Sequence, residues 1–375
     1  MGRLSYRRKC EKFVNFQIHQ HNKKEIMSDL KLGTRTVGAA HPTFIIAEIG
    51  INHQGDVEIA KELITKAKEC GADAVKFQKR TISRILTKEG LEMPYDNRNS
   101  FGKTYGEHKY ALELSEDDYK TLLAFSQNLD VEFSASGWDE ESIDFLNELG
   151  VSFFKMASAD LTNFPLLEHA AKKGKPMILS TGMSNMDIVK SSVELVSKFN
   201  TQIGILQCTS TYPAQFEEIN LNVLHTYQNE FPDVVIGYSG HEHGIAIPAA
   251  AVALGARIVE RHFTLDRTMK GGDHSASLEP QGFAKMVRDV HHIEKAMGIF
   301  EKEVQESELP VFKKLAKSIV SNVDIEAGVP ITRDMLTTKG PGTGINPMKM
   351  AAVIGKSVKE SIPMDSVIKE EDILW

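Results

Sequence analysis

The chain has 375 residues, 41% of them apolar and 25% charged, enough for one large domain plus a small one and inconsistent with global disorder. Its formal net charge of -7 argues against nucleic acid or an anionic membrane as a main partner, and no apolar run approaches the length of a membrane-crossing helix. Three widely spaced cysteines (Cys10, Cys70, Cys208) with no Cys-x-x-Cys pair suit a reducing, cytoplasmic compartment and argue against a structural zinc.

Residues 1–38 read as a basic, disordered extension. Before Met27, seven Lys and Arg stand against Glu11 and Glu25. There is no apolar segment for a secretory signal, the acids weigh against a mitochondrial address, and Met27 is an alternative start. Over 39–298, apolar strands and amphipathic helices alternate eight times. The predicted strands are Phe44–Asn52, Ala74–Gln78, Val131–Gly137, Phe153–Ser158, Pro176–Gly182, Ile203–Thr209, Val234–Gly240 and Arg257–Thr264. The first helix carries a stripe of Ile59, Ala60, Leu63, Ile64, Ala67 and Cys70, and the last one of Phe283, Met286, Val287, Val290, Ile293 and Met297. Eight such units in about 255 residues give the rhythm of a (β/α)8 TIM barrel, with a doubly wound sheet as the competitor. The connection from Lys79 to Leu114 is too long for a plain loop and points to function. A charged stretch reads as a linker over 299–313. Residues 314–375 then form a small unit of short strands and turns with a thin core.

A barrel of this kind places its site at the carboxyl ends of its strands. Read there in order, the chain offers Glu48 and Asn52, Lys76 and Gln78, Ser134 and Ser136, Lys155 and Ser158, Ser180 and Thr181. It continues with Thr209, Ser210 and Tyr212, Ser239 and His241, Glu260 and His262, then the loop residues Asp273 and His274. Consecutive strands ending in His241 and His262 set two imidazoles side by side, as a divalent metal requires. His243 is a rival partner for His241, and the His291-His292 pair reads as surface. Lys76 and Lys155 interrupt apolar strands, and a buried lysine is costly without an anion, either a substrate's or that of a structural salt bridge. Ser239-x-His241 lacks the Gly-x-Ser-x-Gly elbow of a serine nucleophile. Gly340-Pro-Gly-Thr-Gly344 lacks the Gly-Lys-Ser/Thr of a phosphate loop. In the long loop, Lys79, Arg80, Lys103 and Lys109 are possible contacts for a phosphate at the far end of a substrate.

Several long motifs resemble the sialic acid synthases, in particular their animal type. They are Ile45-Ile-Ala-Glu-Ile-Gly-Ile-Asn-His-Gln-Gly-Asp56, Lys103-Thr-Tyr-Gly-Glu-His-Lys109, Leu206-Gln-Cys-Thr-Ser-Thr-Tyr-Pro213, Ile236-Gly-Tyr-Ser-Gly-His-Glu242, Leu254-Gly-Ala-Arg-Ile-Val-Glu-Arg-His262 and Asp273-His-Ser-Ala-Ser-Leu-Glu-Pro280. The resemblance runs from about Pro42 to the end of the chain, and the final unit resembles the antifreeze-like (SAF) domain of that family. It implies condensation of phosphoenolpyruvate with an N-acylmannosamine 6-phosphate. The alternatives are a relative using an unphosphorylated sugar, or a non-catalytic carbohydrate-binding scaffold. It also implies a divalent metal, Mn2+ or Mg2+, on His241 and His262, with Glu260 near enough to orient a water. Phosphoenolpyruvate contacts would fall on Lys76, Lys155, Ser158, Ser180, Ser210 and Ser239, and sugar contacts on Glu48, Gln78, Tyr212 and Asp273. The implied assembly is a homodimer whose antifreeze-like domain caps the neighbouring barrel. Where bacterial relatives place an Arg before the Pro-Gly of that domain, this chain has Gly340, preceded by Lys339.

Overall fold

A computed structural model describes residues 29–375. The expectations for residues 1–28, including the alternative start at Met27, lie outside them. The chain divides after Gly298 into two compact units, the second spanning Ile299–Trp375.

The first unit is a closed barrel of eight parallel strands: β3 (Phe44–Gly50), β4 (Ala74–Lys79), β5 (Glu132–Gly137), β6 (Phe154–Met156), β7 (Met177–Ser180), β8 (Ile203–Cys208), β9 (Val235–Gly240) and β10 (Ile258–His262). Each pairs with its sequence neighbour, and β10 closes on β3 with His262 opposite Glu48. Every expected strand is present, some trimmed at their ends. Helices cover the outside. Val57–Glu69 starts at Asp56, whose carboxylate accepts from Glu58 N and Ile59 N, and buries Ala60, Leu63, Ile64 and Ala67. Pro280–Met297 buries Phe283, Met286, Val287 and Val290, whereas Met297, expected in that stripe, is 53% exposed at the helix end.

Strand alternation sorts the side chains into three environments. Outward residues such as Ile45, Ala47, Val75 and Phe77 pack under the helices. Inward residues of the lower layer are apolar: Phe44, Ile46, Ala74, Ile178, Leu206, Val235 and Ile258. Inward residues of the upper layer are polar, and they form the mouth.

The lower layer is completed from an unexpected direction. Residues 29–38, assigned to the extension, instead hold a hairpin of β1 (Leu30–Leu32) and β2 (Arg35–Val37), paired antiparallel. Gly33 takes φ +62° at its turn, and Thr34 N donates to Glu132 Oε1 at 2.8 Å. Leu30, Leu32 and Val37 are buried in one cluster with the lower barrel layer. Three inward apolar side chains explain why this segment folds although its exposed face is charged.

In the second unit, β11 (Ser318–Ser321) pairs with β12 (Leu336–Lys339), and β13 (Ser357–Val358) with β14 (Ile373–Leu374), all antiparallel. Its core is mostly isoleucine, including Ile319, Ile325, Ile345 and Ile368. The segment expected to be linker is partly helical, with Leu309–Leu315 forming two turns. Lys339 pairs with Asp365 of the same unit.

Candidate active site at the barrel mouth

The upper layer encloses a cavity of about 200 Å³. Glu48, Lys76, Gln78, Ser136, Lys155 and Ser158 line one side of it, and Ser180, Ser210, Tyr212, Ser239, His241, Glu260 and His262 the other. Strand-end reading therefore located nearly the whole lining. It missed Cys208 and Trp138, which also border the cavity. Cys208 is an inward residue of β8 and was legible by parity, whereas Trp138 belongs to the loop after β5.

Two buried ion pairs form the floor. Lys76 Nζ pairs with Glu48 Oε2 and donates to Ser136 Oγ at 3.2 Å. Lys155 Nζ donates to Ser180 Oγ at 2.6 Å and lies 3.5 Å from Glu260 Oε1, which also accepts from Ser239 Oγ at 3.1 Å. Gln78 Nε2 donates to Glu48 Oε1 at 2.9 Å. Both lysines and both glutamates are at most 5% exposed. The two carboxyls are pushed apart in acidity. Burial raises Glu48, and Lys76 only partly offsets it. Burial also raises Glu260, but Lys155, Lys76 and His262 outweigh it and hold that carboxyl at about 2. Burial lowers the Lys155 ammonium, while Glu260 and Glu48 more than compensate burial at Lys76.

Beside this floor lies a hydroxyl cradle. Gly182 N donates to Ser158 Oγ at 3.0 Å, and a Cβ at Gly182 would collide with the hydroxyls of Ser210 and Ser158. Only glycine leaves that space for oxygen atoms of a bound anion.

The imidazoles stand at the rim with ring centroids 5.3 Å apart, and Tyr212 packs 4.1 Å from His241 and 5.7 Å from His262. His241 Nδ1 donates to the Thr209 carbonyl at 2.8 Å, which leaves Nε2 of the neutral ring as the acceptor. Burial lowers His241, but Cys208 and the Thr209 carbonyl outweigh it and leave this ring above its ordinary value. Burial dominates at His262 and holds it down to about 3. Its Nδ1 is buried without a hydrogen-bond partner, as is Glu260 Oε2. Orphaned donor atoms of this kind fit a cation. Among the described residues no cluster of three or more His, Cys, Asp or Glu is set to enclose one, so the protein's share would be two imidazoles. His243 is exposed, lies 3.2 Å from Arg267 Nη2, and does not line the cavity. His291 sits by Glu294 on the outer helix.

The basic residues of the long loop separate. Lys79 is the last residue of β4 and faces outward like Phe77. Its ammonium is 2.9 Å from Glu113 Oε1 and rests over the rings of Tyr119 and Phe145. It is therefore a structural ion pair, not a phosphate contact. Lys103 is exposed and does not line the cavity. Arg80, 4% exposed, stacks its guanidinium 4.8 Å from the Trp138 ring centroid and hydrogen-bonds Gln78 Oε1. Burial and then Arg80 lower the Lys109 ammonium to about 8, with Asp273 opposing. Asp273 Oδ2 is 3.9 Å from His262 Nδ1. Arg80, Lys109 and Asp273 do not line the cavity themselves but interact electrostatically with one another, Asp273 beside His262.

The chain is similar to known proteins over most of its length. A sequence model of the NeuB family matches residues 63–302, and one of the SAF domain matches 316–374. The N-acetylneuraminate-9-phosphate synthase of Mus musculus is 51% identical over 340 residues, covering 90% of this chain and 95% of the mouse protein. The Homo sapiens protein of the same name is 50% identical over 338 residues, covering 90% and 94%. Among solved structures, the N-acetylneuraminic acid synthetase of Leptospira borgpetersenii, in complex with citrate, superposes with a TM-score of 0.67 at 33% identity, covering 77% of this chain and 96% of that one. On these matches the chain belongs to the NeuB family, with a SAF domain at its carboxyl end.

Proposed function

We propose that the enzyme condenses phosphoenolpyruvate with an N-acylmannosamine 6-phosphate and water, giving an N-acylneuraminate 9-phosphate and inorganic phosphate. The observation that carries the chemistry is the floor of two buried lysines beside a hydroxyl cradle, built for a small, oxygen-rich anion. The mouse and human relatives carry the choice of reaction.

Lys76 and Lys155, with Ser158, Ser180, Ser210 and Ser239, hold the carboxylate and phosphate of phosphoenolpyruvate, a positioning and electrostatic role. Glu48, Gln78, Tyr212 and Asp273 orient the open-chain sugar. Carbon 3 of phosphoenolpyruvate attacks the aldehyde carbon, and positive charge develops at carbon 2. Water adds there, oriented by the ionised Glu260. The tetrahedral intermediate then expels phosphate by cleaving its C–O bond. His241 and His262 would hold a divalent cation, Mn2+ or Mg2+, which when bound supplies Lewis-acid polarisation of the aldehyde. Arg80 and Lys109 would receive the 6-phosphate, each charge-assisted contact contributing roughly 1.5–3 kcal/mol.

The finer settings belong to the same proposal. A homodimer is supported by the helix Leu309–Leu315, which buries none of its residues and leaves Leu309, Val311 and Leu315 between 46% and 61% exposed. In that dimer the SAF domain caps the neighbouring barrel. A cytoplasmic location is supported by the free thiols of Cys70 and Cys208, and no described helix is long and apolar enough to cross a membrane.

The test is sugar-dependent phosphate release from phosphoenolpyruvate, comparing N-acetylmannosamine with its 6-phosphate. One or two charge-assisted contacts imply a preference of about ten- to a few-hundredfold in kcat/KM for the phosphosugar. Arg80→Gln and Lys109→Met should each raise KM for the phosphosugar more than for phosphoenolpyruvate. Equal use of the two sugars by the wild-type enzyme would overturn the assignment of substrate.

A further inference from the structure

The largest fully buried side chain in the described chain is an arginine that touches no part of the cavity. Arg261 is 1% exposed and stands between Glu260 and His262 on β10, pointing away from the mouth. Its Nη1 donates to Glu242 Oε1 at 2.6 Å and to the Gly244 carbonyl at 3.0 Å, and its Nη2 donates to the Glu242 carbonyl at 2.6 Å. The second carboxylate oxygen of Glu242 accepts from Tyr238 Oη at 2.7 Å. Both charged side chains are wholly inaccessible.

Burying such a pair costs several kcal/mol in desolvation, and well-packed apolar residues would serve stability as well or better. What an apolar pair cannot supply is a planar fork that fixes two backbone carbonyls and a carboxylate at once. The place where this fork acts is informative. The β9–β10 ladder ends at Arg261 opposite Gly240. His241 and His262 are therefore the first residues beyond the last pair, and they do not pair with each other. On its other side, the segment after β9 is tied to the loop following β8, through Thr209 O to His241 Nδ1 and through Ala214 N to His241 O. Among the described residues, the Arg261 fork is the side-chain link from the backbone just after His241 to the residue just before His262.

We propose that Arg261 and Glu242 are positioning residues that brace the end of the ladder and set the separation of the two imidazoles. The proposal rests on the reading of His241 and His262 as metal ligands.

The experiment titrates Mn2+ into metal-free, full-length protein, alongside a thermal melt of each variant. The Arg261→Met/Glu242→Met double variant removes both charges together, so that neither is left buried alone. It should melt with the wild type while its Mn2+ affinity falls about ten- to a hundredfold, as when the outer partners of metal-binding histidines are lost. A double variant with wild-type melting and wild-type Mn2+ affinity overturns the proposal. Should the double variant melt early, Arg261→Lys decides instead. It keeps the charge but loses the fork, and unchanged Mn2+ affinity in it is equally fatal. His262→Ala separates this failure from that of the underlying reading. If the wild type shows no saturable Mn2+ binding, or His262→Ala binds as the wild type does, the metal assignment falls and the positioning role with it. If only the Arg261 and Glu242 variants behave as the wild type, the metal assignment stands and the positioning role alone is wrong.

Discussion

Replacing Lys155 by Met removes one of four buried charges and should reveal itself twice, once in stability and once in substrate binding. The ammonium is 2% exposed, 2.6 Å from Ser180 Oγ and 3.5 Å from Glu260 Oε1. Without it, Glu260 keeps Lys76 as a second cation but loses the partner that does most to keep its carboxyl ionised. Breaking a buried pair from one side costs about 3–5 kcal/mol, and the remaining Lys76 places this case at the lower end. For a barrel of this size, about 3 kcal/mol lowers Tm by roughly 6–12 °C. The Lys155→Met/Glu260→Gln variant leaves no uncompensated charge and should regain most of that loss. Activity should not return in it, since both groups face the reacting centre. For binding, one charge-assisted hydrogen bond to an anion is worth roughly 1.5–3 kcal/mol, or about ten- to 150-fold in kcat/KM for phosphoenolpyruvate. Calorimetric melts and a phosphate-release assay measure the two effects independently. A single variant that melts with the wild type and keeps its KM for phosphoenolpyruvate would refute the ion-pair floor. If the double variant stays as unstable as the single one, the loss came from packing rather than charge.

Other parts of the structure give similarly direct expectations. Gly182→Ala should abolish most phosphoenolpyruvate binding with little change in Tm, because the new methyl enters the hydroxyl cradle rather than the core; normal affinity in a direct binding assay would show that the cradle is not used. His53 is held at about 4 by burial and then Arg80, against an ordinary 6.5, with the Gly50 carbonyl, Asp56 and Asp118 opposing. The unfolded chain therefore binds the extra proton between those values. This contribution is complete above pH 6.5 and is lost as pH falls towards 4, amounting to about 3 kcal/mol. Urea unfolding of His53→Asn should show a correspondingly flatter acid limb, and parallel limbs would exclude His53 as its source. Fully active protein that remains monomeric by light scattering at micromolar concentration would rule out the homodimer.

The barrel was legible because strand parity and helical stripes are short-range signals, and the same parity located the mouth. Lys76 and Lys155 alternate with outward apolar neighbours, whereas Glu260 and His262 stand on either side of the outward Arg261. Errors arose where one residue of boundary changed a side chain's face. Ending the second barrel strand at Gln78 freed Lys79 into the loop, whereas the extra residue turns it outward onto Glu113. The hairpin at 30–37 was hidden for a different reason. Leu30 and Leu32 are the only pair at two-residue spacing, Val37 is the single buried residue of the second strand, and Lys31 and Arg35 between them resemble the basic stretch that precedes. Arg80 on Trp138 and Arg261 on Glu242 join residues 58 and 19 positions apart, and no local pattern encodes either contact.

The apolar lower layer, with Leu30, Leu32 and Val37 of the hairpin packed on it, closes the barrel beneath the cavity and makes it a well. In such a well the deeper molecule must enter first and the shallower one must leave before it. The lysine floor lies below the histidine rim, so phosphoenolpyruvate arriving after the sugar would find its way obstructed. Steady-state kinetics should then be ordered, with excess sugar phosphate inhibiting competitively against phosphoenolpyruvate. On this view Leu30, Leu32 and Val37, at the far end from every reacting atom, help to set the sequence in which the substrates bind.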